Sequence, residues 1–127
     1  MADKWNKIEI GAIGSVPRVE LKESLGLTGC EVSFNKLEAG HASPFVHHHR
    51  NNEETYLVLS GTGEFWLDGE IVEVHEGSCL KIAPETARSL RASPESALTY
   101  ICIQAEKGSL KNYTRTDGII DKDITAW

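Results

Sequence analysis

The residues of this chain whose types and spacing could do chemistry lie between positions 40 and 56. The run Gly40-His41-Ala42-Ser43-Pro44-Phe45-Val46-His47-His48-His49 leads into Arg50-Asn51-Asn52-Glu53-Glu54-Thr55-Tyr56. In an extended strand, residues i and i+2 face the same side about 6.6 Å apart, so two imidazoles at that spacing can converge on one metal ion. His47 and His49 have this spacing, which turns His48 to the opposite face. A carboxylate at the start of the next strand would complete one face of the coordination shell and leave positions open for water or substrate. Glu53 and Glu54 can each supply it. The competing reading makes the two histidines core-edge residues beside a solvated strand start. His41 and His75 lack partners at a useful spacing and read as surface residues.

The elements that must position these groups are short and β-like. From about Gly29 onward, alternating runs are broken by turn signals, with no convincing amphipathic helix. The pattern predicts strands at Cys30–Leu37, Pro44–Arg50, Glu54–Ser60, Gly63–Leu67, Ile71–Val74, Ser78–Ile82, Ser89–Ala92 and Ala97–Gln104. Asp68-Gly69 is a strong short-hairpin signal, because glycine accepts the positive φ that such turns need. Gly61 to Gly63, Glu76-Gly77 and Ser93-Pro94 mark further reversals. An all-β sandwich or barrel follows. The first 28 residues are less defined: Val19–Leu25 can form one helical turn, and Ile8, Ile10 and Ile13 an edge strand. The polar tail, residues 106–127, carries Ile119, Ile120, Ile124 and Trp127 as anchors, to pack on the barrel or on a second subunit.

Composition bounds the partners. A chain of 127 residues, 40% hydrophobic and 25% charged, is one ordinary folded domain. A net charge of -6 without a Lys/Arg-rich run argues against nucleic acid and anionic membranes. No apolar stretch approaches a membrane span or a signal core, so a cytoplasmic protein is expected. Cys30, Cys79 and Cys102 are too few and too scattered for a zinc knuckle or a disulfide framework, and read as buried small hydrophobes.

The spacing around the histidines resembles the first motif of the cupins, G(X)5HXH(X)3-4E(X)6G. His47-x-His49 is followed after four residues by Glu54, and after six more by Gly61. Counting back from Gly61 selects Glu54 over Glu53, while Gly40 stands one residue farther from His47 than the pattern has it. The second motif, G(X)5PXG(X)2H(X)3N, is degraded: aligned on Pro84, its glycine falls on Thr86 and its histidine ligand on Ser89. The resemblance implies an all-β double-stranded β-helix, the cupin jelly-roll barrel, spanning 29–105. It also implies a homodimer in which the N-terminal segment, 1–28, pairs or exchanges strands. Within that fold it implies one divalent metal ion held by three ligands, His47, His49 and Glu54. Two histidines and a carboxylate resemble the facial triad of non-haem iron oxygenases, but the same set holds zinc, nickel or manganese.

Four further side chains are candidates for binding a small molecule. Ser89, a weak ligand beside imidazole, would face the cavity or hold a water. Arg88 would grip a carboxylate or phosphate if turned inward, or be solvent-facing on an edge strand. Tyr56 shares a strand face with Glu54 and offers a hydroxyl, or serves as a core aromatic. Gln104 shares a face with Tyr100 and Cys102; it supports the site if that polar face is the interior, and is external if Ile101 and Ile103 are. Two functions remain open: a metal-dependent oxygenase- or isomerase-like protein acting on a small polar molecule, or a non-catalytic small-molecule-binding barrel with a structural or absent metal.

Overall fold

The computed structural model describes residues 4–127. Residues 1–3, the start of the N-terminal segment, lie outside them. Eight strands form in chain order: β1 (Arg18–Glu20), β2 (Glu31–Leu37), β3 (Asn52–Ser60), β4 (Thr62–Leu67), β5 (Glu70–His75), β6 (Cys79–Ile82), β7 (Arg88–Ala92) and β8 (Leu98–Glu106). Two single-turn helices accompany them, α1 (Lys22–Leu25) and α2 (Thr114–Asp117). The strands make two antiparallel sheets, one in the order β1-β2-β8-β3-β6 and one in the order β5-β4-β7. Folded face to face, they form the double-stranded β-helix, with Tyr56, Val58, Phe65, Val74, Ile82, Leu90, Ala92, Leu98 and Cys102 packed between them.

Two turns show why the chain reverses where it does. Asp68 and Gly69 both take positive φ, 48° and 94°, as a tight β4–β5 hairpin demands. That turn also docks the site, because the Ala87 N–H donates to Asp68 Oδ1 at 2.9 Å and so fixes the residue before Arg88. At the β3–β4 junction Gly61 has φ +86°, and a Cβ there would fall 1.8 Å from the Ala97 carbonyl oxygen. Only glycine fits such an approach.

Several expectations need correction. The segment Pro44–Arg50 is not a regular strand: it bends at Pro44-Phe45 and meets β7 at one isolated bridge, His47 to Arg88, with a second, Ala42 to Arg91, just before it. Proline has no N–H to give a ladder, and Phe45 and Val46 are exposed. In the N-terminal segment, Ile8, Ile10 and Ile13 form no strand; Arg18–Glu20 is the edge strand, paired to the chain's own β2, and the helical turn follows it. Of the three cysteines only Cys102 is buried. Cys79 is exposed because β6 is the sheet's edge and Cys79 lies on its outer face, opposite Leu57. In the tail Ile119, Ile120, Ile124 and Trp127 are all at least 72% exposed, so they do not pack on this barrel.

Candidate metal centre

Both histidines are pinned by backbone rather than by a continuous ladder. His47 N–H donates to the Arg88 carbonyl at 3.1 Å, and Arg88 N–H returns a bond to the His47 carbonyl at 2.9 Å. Two residues on, His49 N–H donates to the Pro84 carbonyl at 2.8 Å. These bonds keep the i, i+2 alternation despite the bend, leaving His48 exposed. Glu54 comes from β3, between Ile82 on β6 and Gln104 on β8. One nitrogen from each histidine and one oxygen of Glu54 lie within 4.8 Å of one another.

That convergence tests whether an ion fits. His49 Nε2 is buried with no hydrogen-bond partner among the described residues, though Glu54 Oε2 stands 3.2 Å away. His47 Nε2 lies 4.0 Å from Glu54 Oε1. A buried polar nitrogen without a bond is costly unless a missing partner satisfies it. Two imidazole nitrogens and a carboxylate oxygen are a fitting donor set for a divalent transition metal. Burial holds the His47 imidazole below the ordinary histidine range, against the pull of Glu54, and this favours the neutral form that ligates.

Glu54 is held by more than its neighbours in the strand. Tyr56 Oη donates to its Oε1 at 2.9 Å, Arg88 Nη1 to the same oxygen at 2.8 Å, and Cys102 Sγ to Oε2 at 3.5 Å. Burial alone would push the carboxyl up; the Tyr56 hydroxyl, then His49, Arg88 and Cys102, outweigh it and hold the group below the ordinary carboxylate range. The thiol of Cys102 is pushed up to about 12 by burial and by Glu54, so it stays protonated and donates.

Arg88 is turned inward and is 1% exposed. Besides Glu54 it reaches the carbonyls of Thr86 (3.1 Å), Ala83 (2.7 Å) and Pro84 (3.4 Å), so the β6–β7 loop curls around its guanidinium. The motif alignment puts the fourth-ligand position on Ser89, yet the side chain that faces Glu54 from β7 is Arg88. Ser89, next along the strand, pairs with Ser43 Oγ at 3.0 Å at the cleft's rim. Tyr56 spends its hydroxyl on Glu54. Gln104 lies in Glu54's cross-strand row, on the interior face, and its Oε1 accepts from Asn52 Nδ2 at 2.9 Å. All four candidates line one cleft of about 570 Å³ with the three ligand candidates. Sequence reasoning gave no part to Cys102, Asn35 or Arg18, which line it too. The alternation Tyr100, Cys102, Gln104 was the signal for the first.

The fold and this site define a cupin, and residues 34–104 match the model of the cupin domain. The chain belongs to that family. It is 44% identical to a cupin protein from Bacteroides fragilis, with a TM-score of 0.88 over 94% of this chain and 98% of that one. It is also similar to an uncharacterised protein of Methanocaldococcus jannaschii, 33% identical over 57 residues, which are 45% of this chain and 46% of that protein. The chain thus spans about half the length of that curated relative. A sugar phosphate isomerase of the cupin superfamily from Silicibacter pomeroyi shares the fold at 19% identity and a TM-score of 0.62, over 71% of this chain and 59% of that one.

Proposed function

We propose that this cupin binds one divalent metal ion through His47, His49 and Glu54 and acts on a small polar molecule in oxygenase- or isomerase-like chemistry. The observation that carries the reading is the unpartnered, buried His49 Nε2 beside a carboxylate that the fold keeps ionised. When bound, the ion would supply Lewis acidity, or a site for dioxygen if it is iron. The chain's own part is to hold both imidazoles aimed, to favour the neutral form of His47 by burial, and to fix Glu54 from three sides. Phe45 packs edge-on against His47 with centroids 5.6 Å apart.

One observation favours the second reading, a binding barrel with a structural or absent metal. A permanent cation stands where a fourth ligand would, and Glu54 Oε1 already accepts two hydrogen bonds. Metal analysis of protein purified without added metal separates the two, followed by oxygen-uptake and isomerisation assays on small polar substrates. The proposal expects near-stoichiometric metal in the wild type and little in His47→Ala and Glu54→Ala. Equal metal in all three proteins would sink it.

We also propose a homodimer, supported by the exposed apolar side chains of the tail. Light scattering should give twice the monomer mass, and truncation after Ser109 should return it to one. A cytoplasmic location is proposed as well, since none of the three thiols is in a disulfide. Among the described residues no helix is long and apolar enough to cross a membrane.

A further inference from the structure

The charge lining the metal cleft is opposite in sign to the rest of the molecule. The chain carries a net -6, and two other clefts follow it: one is lined by Glu64, Glu73 and Glu95 against Arg91, another by four glutamates against Lys22. The cleft of His47, His49 and Glu54 instead has two cationic side chains, Arg18 and Arg88, against the single carboxylate, with Lys36 at its edge on the outer face of β2. In an acidic protein such a cleft focuses anions.

The three cations are not equivalent. Arg88 is spent on Glu54 and three carbonyls. Lys36 lies 3.5 Å from Glu38 on a flexible stem. Arg18, on edge strand β1, is aimed by a buried relay: its Nη1 donates to Asn35 Oδ1 at 2.6 Å, and Asn35 Nδ2 donates to Ser33 Oγ at 2.9 Å. Asn35 is 5% exposed and Ser33 1%. Two buried polar side chains on the inner face of β2 cost stability that apolar ones would not, and what their bonds achieve is the orientation of one guanidinium at the cleft. The Glu20 carboxylate at 3.3 Å does not neutralise it, because that pair is about half exposed and weak. Tyr100, opposite Asn35 in register, lines the same wall.

We propose that Arg18 anchors the anionic end, a carboxylate or a phosphate, of a small organic substrate whose other end reaches His47, His49 and Glu54. This rests on the metal reading above and names its substrate class. β1 lies three strands from β3 in the sheet, about 14 Å between backbones at the usual interstrand spacing. Side chains close part of that span, Arg18 already reaching Asn35 on β2, so diacids of rising length measure the gap that remains.

Calorimetric titration of the zinc-loaded, full-length protein with oxalate, succinate and adipate tests the anchor, with neutral adipamide as control and 3-phosphonopropionate as the phosphate-like arm. Expected are tighter binding of succinate or adipate than of oxalate, no adipamide binding, and at least tenfold weaker binding in Arg18→Ala, partly restored in Arg18→Lys. If 3-phosphonopropionate exceeds succinate, the anchored group is a phosphate; the reverse order makes it a carboxylate. Unchanged diacid affinity in Arg18→Ala, with zinc still bound, would overturn the anchor and leave the metal site standing. Arg18-dependent succinate binding in a protein that takes up no metal would do the opposite. A wild type that binds none of the anions also overturns the anchor.

Discussion

The barrel's interior has two ends built on one alternation and filled in opposite ways. Along β3 the inward residues run Glu54, Tyr56, Val58; along β7 they run Arg88, Leu90, Ala92; along β2, Ser33, Asn35, Leu37. Each strand grades from polar to apolar towards the same end. At the apolar end Val58, Phe65, Val74, Leu90, Ala92 and Leu98 interlock, and burial there is the stabilising force. At the polar end a carboxylate and a guanidinium are buried together, which stabilises little by itself and is tolerated because each nitrogen of the guanidinium finds an acceptor. Tyr56 joins the two, its ring 4.8 Å from that of Phe65 and its hydroxyl on Glu54. The lesson is that one end holds the fold while the other is held by it.

The largest effect should come from the apolar end. Phe65→Ala empties a ring that is 1% exposed and should cost about 4 kcal/mol. Denaturant melts would read that loss, while metal affinity per folded molecule stays within about twofold. A large drop in affinity would mean that the two ends are not separable. Next is Arg88→Met, which leaves Glu54 ionised and buried without its partner and should cost about 3 kcal/mol in chelator-treated protein. A divalent ion can replace the missing positive charge, so added zinc should raise the melting temperature of Arg88→Met by more than that of the wild type. Equal gains would show that Arg88 and the ion do not compete for Glu54.

The apolar end was far more legible than the polar one. Turn chemistry at Asp68-Gly69 and Gly61, with apolar alternation between, placed the hairpins to within a residue or two. The i, i+2 spacing paired His47 with His49, and the resemblance to the first cupin motif, counted back from Gly61, picked Glu54 over Glu53. The rule that apolar residues face inward could not settle the cleft wall. In β2 and β8 it would bury Val32, Phe34, Ile101 and Ile103, yet the interior faces carry Ser33, Asn35, Tyr100, Cys102 and Gln104. A binding cavity inverts the pattern in the strands that wall it. In β7 the rule held and could have settled Arg88, since Leu90 and Ala92 share its face; the motif alignment pointed to Ser89 instead. Arg18 carried no local signal, because its role depends on a relay across to Asn35, 17 positions away.

The smallest effect separates the ends by pH. None of Val58, Phe65, Val74, Leu90, Ala92 or Leu98 titrates, so the apolar end contributes no pH dependence. At the polar end His47 has its folded value below the ordinary 6.5, and Glu54 below the ordinary 4.5. In both cases the unfolded chain takes up the proton first. Each contribution to stability is therefore complete above the ordinary value and is lost as pH falls towards the folded one. The melting temperature of the metal-free protein should decline below about pH 6.5 and decline further below about pH 4.5. His47→Ala should flatten the upper step and leave the lower. In the Glu54→Gln, Arg88→Met double variant, where neither charge of the buried pair remains, the lower step should weaken while Phe65→Ala only shifts the whole curve down. A rise in stability on acidification from pH 7 to 5, abolished by His47→Ala, would mean that His47 prefers its charged form in the fold and pairs with Glu54 as a cation instead of standing ready as a neutral ligand.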